Sequence, residues 1–349
     1  MSVKKELFGK TKGGEDIYAY TIEHAHISAR VINYGAALVN LCVPDKNGTM
    51  QDIVLGYDDA DGYFVNGCFF GALVAPVANR TAGAEFSLDG VTYHLPVNDG
   101  PNNLHTDHDT GAHKKIWKAI EGEDFVTFTL FVPDGEYGLP GNKNMSVTYS
   151  VTDANGLRIH YHITSDRETI LNPTNHAYFN LDGHNSGDIL GQYLQIFSFG
   201  FTAVGEGSIP TGEIRGVEGT PFDFLVEKPI GRDIDADDEQ LKITGGFDHN
   251  FCIEGYEGDG KLLHAAMAFS TRSGRQMDVY TTLPGVQFYA GNYVDGEKGK
   301  EGAVYGKRDG FCLETQYYPD TIHHSSFPGY VFGPDNVYDS TTEYRFSIR

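Results

Sequence analysis

The chain has 349 residues and a formal net charge of −22, from 26 basic and 48 acidic side chains. A surplus of that size repels nucleic acid and anionic membrane surfaces, and because it is spread along the chain it reads as solubility rather than as a binding tail. Hydrophobic residues make up 40% and aromatic ones 13%, enough for a large core, but the longest apolar stretch, Cys68 to Ala78, is broken by Gly71 and Pro76 and is too short to span a bilayer. The opening Met1-Ser2-Val3-Lys4-Lys5-Glu6 lacks the apolar centre of a signal peptide. Cys42, Cys68, Cys252 and Cys312 form no C-x-x-C pair and sit beside apolar residues. A cytoplasmic protein with buried free thiols is the expectation.

Taken in order, the elements are mostly strands. Phe125 to Val132 is a β-rich run. Met145, Val147, Tyr149 and Val151 then alternate with small polar residues, and Leu157, Ile159, Tyr161 and Ile163 alternate with Arg158, His160, His162 and Thr164. Asp153-Ala154-Asn155-Gly156 lies between them, so the spacing predicts a hairpin. Helical periodicity is weak, and the best candidate is a short piece near Asp235 to Leu241. Asp-Gly pairs begin at 61, 89, 99, 134, 182, 259, 295 and 309, and Asn-Gly pairs at 47, 66 and 155. These supply the positive φ angles of tight turns, so hairpins are expected throughout. No repeat or linker interrupts the pattern. The economical reading is a single all-β domain over residues 1–349, a large antiparallel β-sandwich, with a two-domain split near residue 165 as the alternative.

Several segments break the alternation with clustered polar groups. Arg80, in Ala78-Asn79-Arg80, is either a surface ion-pair partner or a rigid fork of donors for sugar oxygens. His105 follows Asn102-Asn103-Leu104 and has His108 and His113 nearby. A metal site is one reading of these histidines, but H-x-x-H on a loop rich in Gly and Asp is a weak signal, and a loop histidine bonding a ligand is the other. His176 sits in Asn172-Pro173-Thr174-Asn175-His176-Ala177-Tyr178-Phe179-Asn180-Leu181, where Asn172, Asn175 and Asn180 could orient the imidazole. Glu314 is the one carboxylate in Phe311-Cys312-Leu313-Glu314-Thr315-Gln316-Tyr317. Buried, it would have a raised pKa and serve as a base; on a polar strand face it would be ordinary. Asp248 and Gln287 suit hydroxyl recognition, and Tyr178, Phe288 and Tyr289 are candidates to stack on a sugar ring.

Together these residues resemble the aldose 1-epimerase family, the galactose mutarotases. The resemblance runs from about Phe8 to Arg349. It is carried by Ala-Asn-Arg at 78–80, Asn-Asn-Leu-His at 102–105, the His176 segment at 172–181, Phe-Asp-His-Asn at 247–250, Thr-Leu-Pro-Gly-Val-Gln-Phe-Tyr at 282–289 and Leu-Glu-Thr-Gln-x-x-Pro-Asp at 313–320. It implies a mutarotase-type β-sandwich, a free monosaccharide as substrate, and no metal or organic cofactor. It implies Glu314 as general base, His176 as general acid, and Arg80, His105, Asp248 and Gln287 as sugar-binding residues, with Asn79 beside Arg80. The chain departs from the family pattern at Ala75-Pro76, Thr106-Asp107 and His323-His324. A sugar-phosphate epimerase, a glycoside hydrolase using Asp248 with Glu314, and a non-catalytic sugar binder are the rival functions. Oligomeric state is not legible, and a monomer is the default expectation.

Overall fold

The computed structural model describes residues 2–349. Among them, strands dominate and the α-helices are two short pieces, Ala60–Val65 and Glu239–Thr244. Every multi-residue strand pairing is antiparallel. The largest sheet has nine strands in the order Lys118–Glu121, Phe125–Val132, Lys143–Thr152, Gly156–Ser165, Tyr338–Ile348, Arg275–Thr281, Leu263–Phe269, Tyr193–Ile196 and Lys228–Pro229. The last strand of the chain therefore sits between strands from its two halves.

The expected hairpin is present with its side chains in the expected phase. Lys143–Thr152 pairs with Gly156–Ser165 from Lys143↔Ser165 to Thr152↔Gly156, and Asn155 turns the chain at φ +51°. Met145, Val147, Tyr149 and Val151 are buried against the core, and their partners Ile163, Tyr161, Ile159 and Leu157 are buried with them. The Asp-Gly signal was less uniform. Asp89-Gly90 makes the two-residue turn between Glu85–Leu88 and Val91–His94, but Asp61-Gly62 lies inside the helix Ala60–Val65. There Asp59 caps the helix by accepting from the Gly62 N–H. The second helix begins at Glu239, four residues after Asp235, because Asp238 is its cap, and Gly245 closes it in the left-handed region.

A second sheet holds Pro210–Gly216, Gly200–Val204, Asp248–Cys252, Gly285–Tyr289 and Cys312–Gln316 in that order. Its back packs onto the nine-stranded sheet. The Thr315 hydroxyl bonds Thr342, and the Tyr344 hydroxyl donates to the Leu313 carbonyl at 3.1 Å. A third sheet of the first five strands, Ser2–Lys10 to Met50–Asp52, covers the flank. The short ladder of Ala72–Val74 with Thr174–His176 links the layers, with His176 opposite Ala72. Gly71 is required there: its φ is +62°, and a Cβ would stand 1.9 Å from the Leu38 carbonyl oxygen.

Candidate active site

The site is built on one face of the strands Asp248–Cys252, Gly285–Tyr289 and Cys312–Gln316. Their registers place Asn250 opposite Gln287, and Gln287 opposite Glu314. Period two then puts Asp248, Asn250, Gln287, Tyr289, Cys312, Glu314 and Gln316 on the same side. Phe288 falls on the other side, packed with Phe224 and Phe247 in the core. It is therefore not a sugar-stacking residue, whereas Tyr178 and Tyr289 do line the cleft.

The cleft is lined by Asn79, Arg80, His105, His176, Asp248 and Glu314 among others, so the expected residues converge from five separate segments. His176 Nε2 lies 3.6 Å from Glu314 Oε1. Glu314 is 2% exposed, and its Oε2 has no hydrogen-bond partner among the described residues. His176 is 5% exposed. Its ring stacks with Tyr178 and Phe69 at 5.1 and 5.9 Å, each inclined by 28°, and Cys312 Sγ lies 3.5 Å from its Nδ1.

The asparagines around His176 do not orient it. Asn175 donates to the Gly71 carbonyl and to the Tyr149 hydroxyl, Asn172 bonds both backbone groups of Tyr317, and Asn180 donates to the carbonyls of Gly187 and Asp309. They satisfy backbone that has left its ladders. Aromatic stacking and Cys312 hold the imidazole instead.

His105 and Arg80 enter from the facing loops. The Asn79 N–H donates to His105 Nδ1 at 3.1 Å, so the proton of neutral His105 resides on Nε2. Arg80 Nε donates to Asp99 Oδ2 at 2.8 Å, which leaves the two terminal nitrogens of its guanidinium for the cleft. Gln287 does not itself line the cleft. Its Nε2 donates to Asp248 Oδ1 at 2.7 Å and its Oε1 accepts from Gln316 at 3.2 Å, so it holds Asp248 in place.

Burial dominates the titration of the pair. It pushes Glu314 well above the usual carboxylate range, reinforced by Asp248 and opposed by Arg80. It pushes His176 down to about 4. Asp248 is raised by burial too, against the pull of Arg80. His105 is lowered by burial and by the neighbouring His176 and Arg80. Two groups this close, with pKa values pushed in opposite directions, have the geometry and the perturbed titration that general acid–base chemistry requires.

The metal reading of His105, His108 and His113 does not match their arrangement. All three pack around the ring of Phe69, at 4.9, 5.3 and 4.8 Å. His176, Cys312 and Glu314 have donor atoms within 4.8 Å of one another. However, the sulfur approaches Nδ1 and the carboxylate approaches Nε2, opposite nitrogens of one ring. Burial also holds the Cys312 thiol protonated.

The sequence reading missed Asp99, Phe69, Cys312 and Tyr293 as parts of the site. Period two from Glu314 would have found Cys312. Asp99 reads in the sequence as part of an Asp-Gly turn, and Phe69 carries no local signal.

The family model for aldose 1-epimerase matches residues 18–345. The chain belongs to the aldose 1-epimerase family. Galactose mutarotase of Rattus norvegicus is 39% identical over 350 residues, covering 100% of this chain and 99% of the relative. Aldose 1-epimerase of Escherichia coli K12 is 36% identical over 326 residues, covering 93% of each. The crystal structure of an aldose epimerase homologue from C. elegans superposes with a TM-score of 0.85 at 31% identity, covering 95% of this chain and 99% of that one. The chain is thus an isomerase of the aldose 1-epimerase type on the mutarotase-like antiparallel β fold.

Two of this epimerase's departures from the family pattern have visible structural roles. The Thr106 hydroxyl donates to the Val77 carbonyl and accepts from the Val77 N–H, tying its loop to the segment that carries Asn79. His323 bonds Asp320, which in turn donates its N–H to the Arg80 carbonyl and accepts from the Ala82 N–H. Among the described residues, no helix is long and apolar enough to cross a membrane.

Proposed function

We propose that Glu314 and His176 interconvert the α- and β-anomers of a free aldohexose, with D-galactose as the reference substrate. Ionised Glu314 takes the proton of the C1 hydroxyl, and protonated His176 gives a proton to the ring oxygen. The C1–O5 bond breaks, its electrons pass to O5, and C1=O1 forms. Rotation about C1–C2 presents the other carbonyl face, and the reverse transfers close the ring. Arg80 and Asp248 hold ring hydroxyls, and the Nε2–H of His105 donates toward oxygen near His176. Asn79 fixes His105, and Gln287 fixes Asp248.

The supporting observation is the 3.6 Å approach of His176 Nε2 to Glu314 Oε1 inside a buried, polar cleft. An ion pair and an uncharged pair hold the same number of protons, and ring opening converts the first into the second. Burial favours the uncharged pair, so it drives the opening step; hydrogen bonds from sugar hydroxyls and the charge of Arg80 offset the cost of regaining the ion pair. Each positioned transfer contributes about 10²–10⁴ in rate. Of the lining residues, Arg80 is the single arginine or lysine and it faces two carboxylates, which disfavours a phosphorylated sugar.

Polarimetry on freshly dissolved α-D-galactose tests the reading. Relaxation to the same final rotation should be accelerated by the protein and lost in Glu314→Gln and His176→Asn. Acceleration that survives Glu314→Gln would sink the assignment.

A further inference from the structure

Two polar side-chain atoms among the cleft's lining residues are buried without a partner among the described residues: Glu314 Oε2 and His108 Nε2. The first belongs to the acid–base pair. The second has no part in it. His108 lies on the loop after Leu104-His105, where this chain departs from the family pattern, and its ring meets Phe69 edge-on at 5.3 Å.

The loop that carries His108 is rigidly built. Asp107 Oδ1 accepts from the N–H groups of Asp109 and Thr110 at 2.9 and 2.7 Å, and its carbonyl accepts from Gly111. The His108 carbonyl lies 3.2 Å from Nε2 of His113, a buried histidine held neutral by desolvation, so that Nε2–H donates to it. Gly111 cannot carry a side chain, since a Cβ would stand 2.4 Å from the Asp107 carbonyl oxygen. These bonds hold the loop backbone and the edge of Phe69 holds the ring, and a buried imidazole nitrogen without a partner is costly unless a ligand completes it.

The order of groups around the cleft says which part of a sugar meets it. Glu314 stands at O1, and His176 beside it stands at O5. On the other side of Glu314 are Gln287 and Asp248, the hydroxyl-binding side. Phe69 stacks on His176 and His108 packs against Phe69 in turn, so in the chain of contacts from Glu314 both His176 and Phe69 stand before His108. Going round a pyranose from O1 through O5, the next atom is C5, and its substituent is C6. We propose that His108 is a specificity-determining residue that hydrogen-bonds the hydroxyl on C6, so that this epimerase selects aldohexoses over 6-deoxyhexoses and aldopentoses. The inference rests on the Glu314–His176 reading, which orients the ring.

The test compares kcat/KM for mutarotation of D-galactose, D-fucose (its 6-deoxy form) and L-arabinose (which lacks C6 altogether) in the wild type, His108→Ala and His108→Asn. The expected result is a loss of about fivefold to tenfold for D-galactose in His108→Ala, mostly in KM, the size of one hydrogen bond. D-fucose and L-arabinose should stay within about twofold, and His108→Asn should recover part of the loss. An equal loss with all three sugars would make His108 a packing residue and overturn the inference, as would no loss with any. A wild type that accelerates none of the three would instead overturn the orientation of the pair, and the inference with it. D-fucose turnover by the same preparation reports that each variant is folded.

Discussion

The hairpin of Lys143–Thr152 with Gly156–Ser165 and the trio of Asp248–Cys252, Gly285–Tyr289 and Cys312–Gln316 are both regular antiparallel units, and they differ in what lies over their polar faces. Water lies over the first. Ser146, Thr148, His160 and His162 are half-buried or exposed, and their polarity costs nothing there. Protein lies over the second, and its strands are almost wholly buried on both sides. Each polar group on that covered face needs a partner or suffers a shifted pKa. Gln316 reaches Asn250 and Gln287, and Gln287 reaches Asp248, while Glu314 is left with an uncompleted oxygen. The same alternation of side chains is thus a solubility device in one unit and a source of perturbed acids in the other.

Four variants test that contrast. The largest effect is expected at Glu314→Gln, with kcat reduced by about 10²–10⁴. The same change should stabilise the fold in alkali. A carboxyl whose folded pKa is raised contributes stability below its unfolded pKa and loses it as pH rises through the folded value, and Gln has no such loss. A melting temperature for the variant that falls below the wild type at high pH would contradict the burial argument.

The next effect concerns buried neutral histidines. His105, His113, His176 and His249 all have lowered pKa values, with burial as the first cause and with His113 and His249 at about 3 and His176 at about 4. A depressed group contributes stability above its unfolded pKa of about 6.5, lost as pH falls toward the folded value. His249 stands among Phe201 and Phe222 on the core face of its strand, outside the cleft. Between pH 7 and 5, His249→Phe should lose about 2 kcal/mol less stability than the wild type, read by denaturant titration at both pH values. Equal losses would mean that His249 is not buried neutral.

Asp99→Ala should lower kcat/KM by about threefold to tenfold, mainly through KM, because Arg80 loses the acceptor that aims its guanidinium; the pair is partly exposed, so the effect is modest. An unchanged KM for D-galactose would show that Arg80 needs no such support. The smallest effect is expected on the open side of the hairpin sheet. Asp339 accepts from His160 and His162 in exposed pairs, and Asp339→Asn should change stability by ~0.5 kcal/mol or less and leave turnover alone.

How much of this was legible follows from which interactions are local. Alternation and an Asn-Gly turn specify the hairpin within about twenty residues, so its boundaries and its buried side chains were readable. The ordered motifs likewise placed the family and the convergence of Arg80, His105, His176, Asp248 and Glu314. Neighbouring polar residues were a poorer guide to contacts. Asn172, Asn175 and Asn180 surround His176 in sequence, yet they bond distant backbone, because short strands at the junction of sheets leave carbonyls that only side chains can reach.

Residue type and short spacing were enough to fix a strand-dominated chain, its turns, its family and the chemistry its polar segments can perform. Tertiary structure alone decided which phase of Gly285–Tyr289 looks into the cleft, because both faces of that strand are buried and period two does not choose between Gln287 with Tyr289 and Phe288. It also decided that Asp99 aims Arg80, that Phe69 gathers the histidines, and that Cys312 rather than an asparagine touches His176. Those pairings join segments far apart in the chain, and only the packing of one sheet on another brings them together.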